Sequence, residues 1–255
     1  MNGMVPREHG AYGQLLVPLI TALAVGRPGV AAAALAIAIV AAFLAHEPLL
    51  VLIGQRGART ARDRRGAAMR WLAVSAGIAV VLGGAASVMV DTSVRVALLV
   101  PLVGAVALGT MIAVRKEHSS GGEIVAAATL SSLAAPVALA AGGSVVAAVT
   151  CAVVFAAGFV IATIAVREVI AQTRRRTVLT RTAIACGAAA IVGGLVVLSR
   201  FEIVAGVAPV AAAPMSAGAA ALAIVLPAPR HLRKVGWLLV GATVITSGAL
   251  LVGLR

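Results

Sequence analysis

The segment from Val30 to Gly57, VAAAALAIAIVAAFLAHEPLLVLIGQRG, decides the fold class of this chain. Up to Ile53 it is apolar except at two positions, and it is long enough to cross a hydrocarbon core about 30 Å thick as one helix. Similar segments recur along the whole chain, in which 62% of the residues are hydrophobic and 11% are charged. So little charge cannot coat a soluble globule of 255 residues, and an integral membrane protein is therefore predicted.

The recurring apolar segments predict an all-α polytopic bundle of about nine transmembrane helices. We expect one domain, residues 1–255, made of two loosely repeated halves, about 1–114 and 115–255. The eighth span contains Pro209 and Pro214, which predicts a kink or a break because proline lacks a backbone donor. The predicted spans are Ala11–Val25, Val30–Ile53, Trp71–Val90, Val96–Val114, Glu123–Ala141, Ser144–Val166, Thr182–Leu198, Ile203–Leu226 and Gly236–Leu254.

Small residues and cysteines lie within these apolar spans. Ala and Gly are abundant and aromatic residues make up only 3% of the chain, which favours close contacts between helices. The pairs Gly83-Gly84 and Gly193-Gly194 are predicted to be points of such contact. Cys151 and Cys186 also lie in predicted spans, where a buried small apolar residue is expected rather than a disulfide or a metal ligand.

Basic residues predict the orientation of the bundle in the membrane. If nine spans alternate, the loops after spans two, four, six and eight fall on one side, and all four are rich in Arg and Lys. The excess of Lys and Arg on cytoplasmic loops therefore places the amino terminus in the cytoplasm and the carboxyl terminus outside a plasma membrane. The net charge of +13 is explained by this topology, and no nucleic-acid partner is expected because the Arg clusters lack interleaved aromatic residues.

Ionisable residues within the spans are the strongest indication of a functional site. His46 and Glu47 stand about seven residues before the cytoplasmic end of span two, roughly 10 Å below that end. Arg167 and Glu168 interrupt the end of span six in the same way. Each such residue costs about 2.5 to 3.5 kcal/mol on insertion scales, so it is retained where it is paired or used. The two halves thus repeat a helix with a glutamate near its inner end, followed by a basic loop.

The motif PREHGAYGQLLVPL at residues 6–19, the HEP at 46–48 and the EH followed by GE in the loop before span five resemble the YwiC-like family of bacterial integral membrane proteins. The chain is more distantly similar to the UbiA superfamily of intramembrane prenyltransferases. Members of that superfamily have nine helices, a cytoplasmic amino terminus and active-site loops after helices two and six. Their first helix opens with a basic residue, then glycine and a later proline, as Arg7, Gly10, Gly13 and Pro18 do here.

The resemblance to the UbiA superfamily implies a site for an isoprenoid diphosphate, held by magnesium ions on aspartate-rich motifs. This chain departs from those motifs, because the corresponding positions carry His46-Glu47-Pro48, with Asp63 later, and Arg167-Glu168-Val169. Glutamate oxygens suit magnesium, but a magnesium diphosphate site draws on several carboxylates and the chain has eight acidic residues. These departures argue against the standard metal-dependent transfer, so the cofactor is left unassigned, and magnesium is the one candidate that the glutamates suggest.

The leading hypothesis is a polar cavity at the cytoplasmic face that binds or transfers a phosphorylated or isoprenoid lipid. Guanidinium groups match phosphate oxygens in pairs without a metal. Glu47 and Glu168 are expected to hold these arginines or to act as acid and base, with His46 or His9 as a second proton carrier. The arginines expected to bind the substrate are Arg7, Arg56, Arg59, Arg167 and Arg174.

Two alternatives belong to other classes of function. In a proton- or cation-coupled transporter of small solutes, Glu47 and Glu168 are the coupling sites. The outer halves of the helices offer few polar residues to line an aqueous path, which favours an inner-face site. The second alternative is a noncatalytic membrane scaffold whose basic loops contact membrane lipids, because loop arginines commonly pair with lipid headgroups.

Overall fold

The computed structural model describes residues 4, 9–173, 181–225, 227, 228 and 231–255; for His9, Gln172 and Thr173 it describes the backbone alone. The described residues form an all-α bundle, as predicted. Its helices are α1 His9–Val25, α2 Val30–Leu52, α3 Ala58–Asp63, α4 Arg65–Met89, α5 Thr92–Ala97, α6 Leu99–Ala113, α7 Ser120–Ser132, α8 Ala134–Ala140, α9 Val145–Thr173, α10 Arg181–Arg200, α11 Ala208–Val225 and α12 Leu232–Leu254.

Length and composition make this bundle a multi-pass membrane protein. Eight of the described helical segments are long and apolar enough to span a membrane, and the shorter apolar helix Gly10–Val25 precedes them. Thr92–Ala113 and Ser120–Ala140, each of which contains two of the helices named above, count as single spans among those eight. Each predicted span therefore coincides with a helix or a pair of consecutive helices. The predicted bounds are too narrow mainly at the polar ends, as at α9, which extends to Thr173.

Proline interrupts spans other than the predicted one. Helix α11 runs without a break from Ala208 to Val225. Pro209 lies in its first turn, where a backbone N–H has no helical acceptor, and Thr246 of α12 donates to the carbonyl of Ala211 near Pro214. The breaks lie at Leu98 and Leu133 instead, each three residues before a proline. A proline deprives the carbonyl four residues earlier of its donor, so the helix opens about one turn before it.

Helices α1 and α9 lie at the centre of the bundle. Helix α1 contacts α2, α7, α8, α9 and α12, and α9 contacts α1, α7, α8, α10, α11 and α12. The main buried cluster contains Leu15, Phe155 and Met215. Helix α9 approaches α11 so closely that a Cβ at Gly158 would lie 2.6 Å from the sulfur of Met215. The small residues predicted to allow tight packing do so at this contact.

The predicted glycine contacts and buried cysteines are confirmed only in part. A Cβ at Gly83 would lie 3.6 Å from Ala38 of α2, but Gly84, Gly193 and Gly194 face open space. Cys151 is buried, whereas Cys186 is exposed, so its predicted burial is wrong. The lack of contacts at Gly193 and Gly194 and the exposure of Cys186, all on α10, have one reason. Helix α10 lies at the periphery, with 17% of its span buried, and most of its side chains face outward.

Polar contacts define two ends of the bundle. At one end, which we call the basic end, Gln55 donates to the carbonyl of Ile112 and Arg167 reaches the start of α7. At the other, the backbone N–H of Arg27 donates to the carbonyl of Ala141, and Arg255 donates to that of Ala24. Only Arg27, Arg95, Arg200 and Arg255 lie at or near this second end; every other described Lys or Arg lies at or near the basic end. The segregation of charge agrees with the predicted alternation of spans.

Candidate functional site

The turn after α2 carries an arginine back onto a glutamate of the same helix. Helix α2 ends at Leu52, and Gly54, two residues later, has φ +78°, a left-handed conformation that glycine adopts without steric cost. The N–H of Gly54 donates to the carbonyl of Val51 and that of Gln55 to the carbonyl of Leu50, which is the hydrogen-bond pattern of a Schellman cap. The chain reverses at this cap, and Arg56 comes to lie beside Glu47.

Glu47 and Arg56 form a two-pronged ion pair at the basic end. Nε of Arg56 donates to Oε1 of Glu47 at 3.0 Å, and Nη2 donates to Oε2 at 2.6 Å. The side chain of Glu47 is 12% exposed and that of Arg56 is 30% exposed. The parallel pair of bonds fixes the plane of the guanidinium as well as its position. The structure thus brings together two of the residues that the sequence assigned to the site.

Tyr12 adds a hydroxyl to the surroundings of Glu47. Its ring packs edge-on against Phe43 of α2, with 5.2 Å between the ring centroids. The carboxylate of Glu47 acts on Tyr12 electrostatically, and the buried hydroxyl has no hydrogen-bond partner among the described residues. A buried hydroxyl without a partner costs about 1 to 3 kcal/mol. Sequence reasoning missed Tyr12, although it is the single tyrosine of the chain and lies within the first motif.

Arg167 pairs with a glutamate that the sequence did not place in the site. Its Nη1 lies 2.5 Å from Oε1 of Glu123 on α7, and the two side chains are 28% and 39% exposed. Ser119 caps α7 by accepting a hydrogen bond from the N–H of Gly122. Glu123 consequently stands in the first turn of α7, where a negative charge is favoured. This contact joins α7 to the end of α9.

Glu168 differs from the other two glutamates because it has no ion-pair partner among the described residues. Its Oε2 is buried and accepts no hydrogen bond there. Glu168 stands about five residues before the end of α9, and Glu47 stands about five before the end of α2. At 1.5 Å per residue both are roughly 7 Å from their helix ends. Helices α1 and α8 lie between α2 and α9, each in contact with both.

Of the remaining predicted site residues, the structure describes the side chains of Arg59 and His46 only. Arg59 points outward from α3, with 94% of its side chain exposed, and it lies 3.8 Å from Asp63, so it does not join the buried pairs. His46 lies half-buried on α2 beside Glu47. His9 begins α1, but its side chain lies outside the described residues, as do Arg7 and Arg174. The convergence of Glu47 and Glu168 on one cavity stays a prediction.

The described carboxylates do not fit the magnesium site that the resemblance to the UbiA superfamily implies. Both oxygens of Glu47 are engaged by Arg56, and Glu123 is engaged by Arg167. Glu117 lies 3.2 Å from His118 in the loop between α6 and α7. Within the described ranges, no three His, Cys, Asp or Glu side chains come together as a metal site would require. The arrangement instead offers guanidiniums in fixed orientations and, at Glu168, one buried carboxyl oxygen that has no hydrogen-bond partner among the described residues.

No curated protein and no solved structure matches this chain. A family model described as YwiC-like protein matches residues 5–139, just over half of the chain. The matched part contains Glu47, Arg56 and Glu123 and ends before α9. This chain therefore belongs to the YwiC-like family.

Proposed function

We propose that the basic end of the bundle faces the cytoplasm and binds a phosphorylated or isoprenoid lipid, on which the half-buried carboxyl of Glu168 acts as acid or base. The observation that carries this proposal is the contrast between two carboxylates at the same depth. Glu47 fixes an arginine through both oxygens, whereas Glu168 has a buried oxygen with no hydrogen-bond partner among the described residues. The arrangement provides a group that binds an anion and a group that carries a proton.

Arg56 supplies the binding step. A guanidinium fixed by a carboxylate keeps its orientation, so less side-chain entropy is lost when it meets a phosphate. Arg56 lies at the end of a membrane-spanning helix, at the level where a lipid phosphate would sit while its chain stays in the hydrocarbon. Arg167, fixed by Glu123, offers a second guanidinium at the same end. Arg7, Arg59 and Arg174 stay proposed contacts.

Glu168 supplies the proton-transfer step. Oε2 of Glu168 is buried and has no hydrogen-bond partner among the described residues, so a proton or a cation that reaches it meets an open acceptor. That property suits a general acid or base. His46 and His9 are proposed as the second proton carrier. The nine-helix resemblance to the UbiA superfamily supports a lipid substrate, while the paired state of Glu47 argues against the metal-dependent route of that superfamily.

The test is the identity of the phosphorylated lipids that co-purify with the protein, measured by mass spectrometry of extracts from the purified wild type and its variants. We expect a specific phosphorylated lipid with the wild type and its loss in Arg56→Gln. Arg62→Gln is the matched control, because Arg62 is an exposed arginine on α3 whose loss removes the same charge. Equal lipid content in both variants would overturn the proposal.

The unpaired carboxyl also favours one alternative, a proton- or cation-coupled carrier. A buried carboxyl that binds and releases a cation is the usual coupling group of such a protein. Proteoliposomes with an imposed pH gradient separate the two functions. Proton-coupled solute flux that is lost in Glu168→Gln supports the carrier, whereas no flux together with lost conversion of the bound lipid supports the lipid enzyme. A bound lipid that is the same in Arg56→Gln and in Glu168→Gln as in the wild type would favour a noncatalytic scaffold.

A further inference from the structure

A groove between α11 and α12 lies at the basic end, away from the proposed site. It has a volume of about 250 Å³ and lies between the last two turns of α11 and the first two of α12. Its walls are apolar and include Ala221, Val225 and Leu238. Among the described residues, the polar side chains that line it are His231 and Lys234. Apolar walls suit the hydrocarbon chain of an anionic amphiphile, and a cation at one end suits its headgroup.

The walls of the groove face outward from the bundle. Val225 is 73% exposed, Leu238 is 47% exposed, and Trp237 beside the groove is 68% exposed. Both helices qualify as membrane spans by length and composition, so their outward-facing apolar side chains are expected to meet the hydrocarbon region. The apolar occupant available there is an acyl chain, because no water reaches that depth.

The cationic end of the groove is placed at headgroup level. Lys234 is the third residue of α12, and the exposed Arg233 precedes it. His231 is the N-cap residue of α12 and makes no side-chain hydrogen bond to the first turn. The first turn of a helix presents backbone N–H groups and the positive end of the helix dipole. An anion at this point therefore meets a lysine and a helix terminus together.

We propose that this groove binds one molecule of an anionic phospholipid, with an acyl chain between α11 and α12 and the phosphate at Lys234. Charge selects the lipid, because a zwitterionic headgroup cancels the attraction that Lys234 and the start of α12 exert. The groove uses other residues than the Glu47 and Glu168 region, so this inference goes beyond the proposed function and does not rest on it.

The chain carries a fluorescent reporter beside the groove. It has two tryptophans, Trp71 and Trp237, so Trp71→Phe leaves Trp237 as the only one. Trp237 follows Lys234 by three residues, roughly 4.5 Å along the helix. Acyl chains that carry bromine quench tryptophan on contact. The ratio between the quenching of Trp237 by brominated phosphatidylglycerol and that by brominated phosphatidylcholine measures how strongly the groove prefers the anionic lipid.

We expect Trp71→Phe protein in vesicles to bind brominated phosphatidylglycerol in preference to phosphatidylcholine. Lys234→Gln lowers this preference about tenfold, because one charge-assisted hydrogen bond is lost. Arg233→Gln is the matched control: it removes the same charge from the adjacent residue, which does not line the groove, and it changes the preference less than about threefold. Equal losses in both variants would reduce the effect to surface charge and overturn the proposal.

Two further measurements distinguish a bound lipid from a bound phosphate. Ala221→Phe fills the groove without changing any charge, and we expect it to abolish the preference for phosphatidylglycerol. Glycerol phosphate, which has the headgroup without the chain, is expected to leave the quenching unchanged. Displacement of the lipid by glycerol phosphate, or a full preference in Ala221→Phe, would show that the groove does not hold the chain.

Discussion

Glu47 and Glu168 stand at the same distance from the ends of two long helices, α2 and α9, yet their surroundings differ. Each stands about five residues before the basic end of a long helix. Glu47 receives two hydrogen bonds from Arg56, which the turn at Gly54 returns to it. Glu168 has a buried oxygen with no partner in the part of the chain that the structure describes, and its neighbour Arg167 is engaged by Glu123 of α7.

The difference separates what a buried carboxyl does for stability from what it does for function. A paired carboxylate contributes to the folded state and costs free energy when its partner is removed. A carboxyl that forms no ion pair makes no such contribution to the folded state. The free energy of unfolding of variants at the two positions therefore tests the comparison directly.

The largest effect is expected at the Glu47 and Arg56 pair. Glu47→Ala should lower the free energy of unfolding by about 2 kcal/mol, because it leaves a half-buried guanidinium without its carboxylate. Arg56→Ala should cost a similar amount, and the double variant less than the sum of the two. Reversible unfolding by SDS in mixed micelles gives these values. Strict additivity would show that the pair contributes no coupling energy.

A smaller effect is expected at Arg167. Glu123→Gln should lower the free energy of unfolding by about 0.5 to 1 kcal/mol, because both side chains of this pair are about a third exposed and water screens them. The loss should shrink as salt is added, which the same unfolding assay at two ionic strengths measures. A loss of unfolding free energy as large as that of Glu47→Ala would contradict this prediction, because it would mean that the Arg167 and Glu123 pair is more buried than its exposure indicates.

Glu168→Gln should change the free energy of unfolding by less than about 0.5 kcal/mol, because the carboxyl loses no hydrogen bond at the atom that is buried. The same variant is expected to lose conversion or transport of its ligand. Folding measured by SDS titration and activity measured on the same preparation give the two values. Destabilisation as large as at Glu47 would mean that Glu168 has a structural partner, and the contrast between the halves would vanish.

A gain in stability is expected at Tyr12. Tyr12→Phe keeps the ring contact with Phe43 and removes a buried hydroxyl that makes no hydrogen bond to the described residues, so the free energy of unfolding should rise by about 1 kcal/mol. If the hydroxyl serves the ligand, the amount of co-purifying phosphorylated lipid should fall about fivefold. Unchanged lipid content would exclude Tyr12 from the site.

Much of the fold follows from local pattern. Apolar length predicted every span, since a helix that crosses a membrane must satisfy its own backbone and must be apolar throughout. The cap at Ser119 was also predictable, because a serine before a helix acts through its nearest neighbours. The breaks near Pro101 and Pro136 were missed, and the break expected in α11 does not occur, because a proline by itself does not decide whether its helix opens: Pro18, Pro48 and Pro214 lie inside unbroken helices.

The candidate site was likewise predictable from the sequence only in part. Residue type and spacing alone identified Glu47, Arg56, Arg167 and Glu168 as ionisable groups at the ends of membrane spans, because the cost of burying charge makes such residues rare. Only the tertiary structure decided the partners: Arg56 for Glu47, Glu123 for Arg167, and a buried oxygen of Glu168 without one. Sequence fixes where a helix lies along the chain, but pairing depends on which helix faces which, and that is set by packing across the whole bundle.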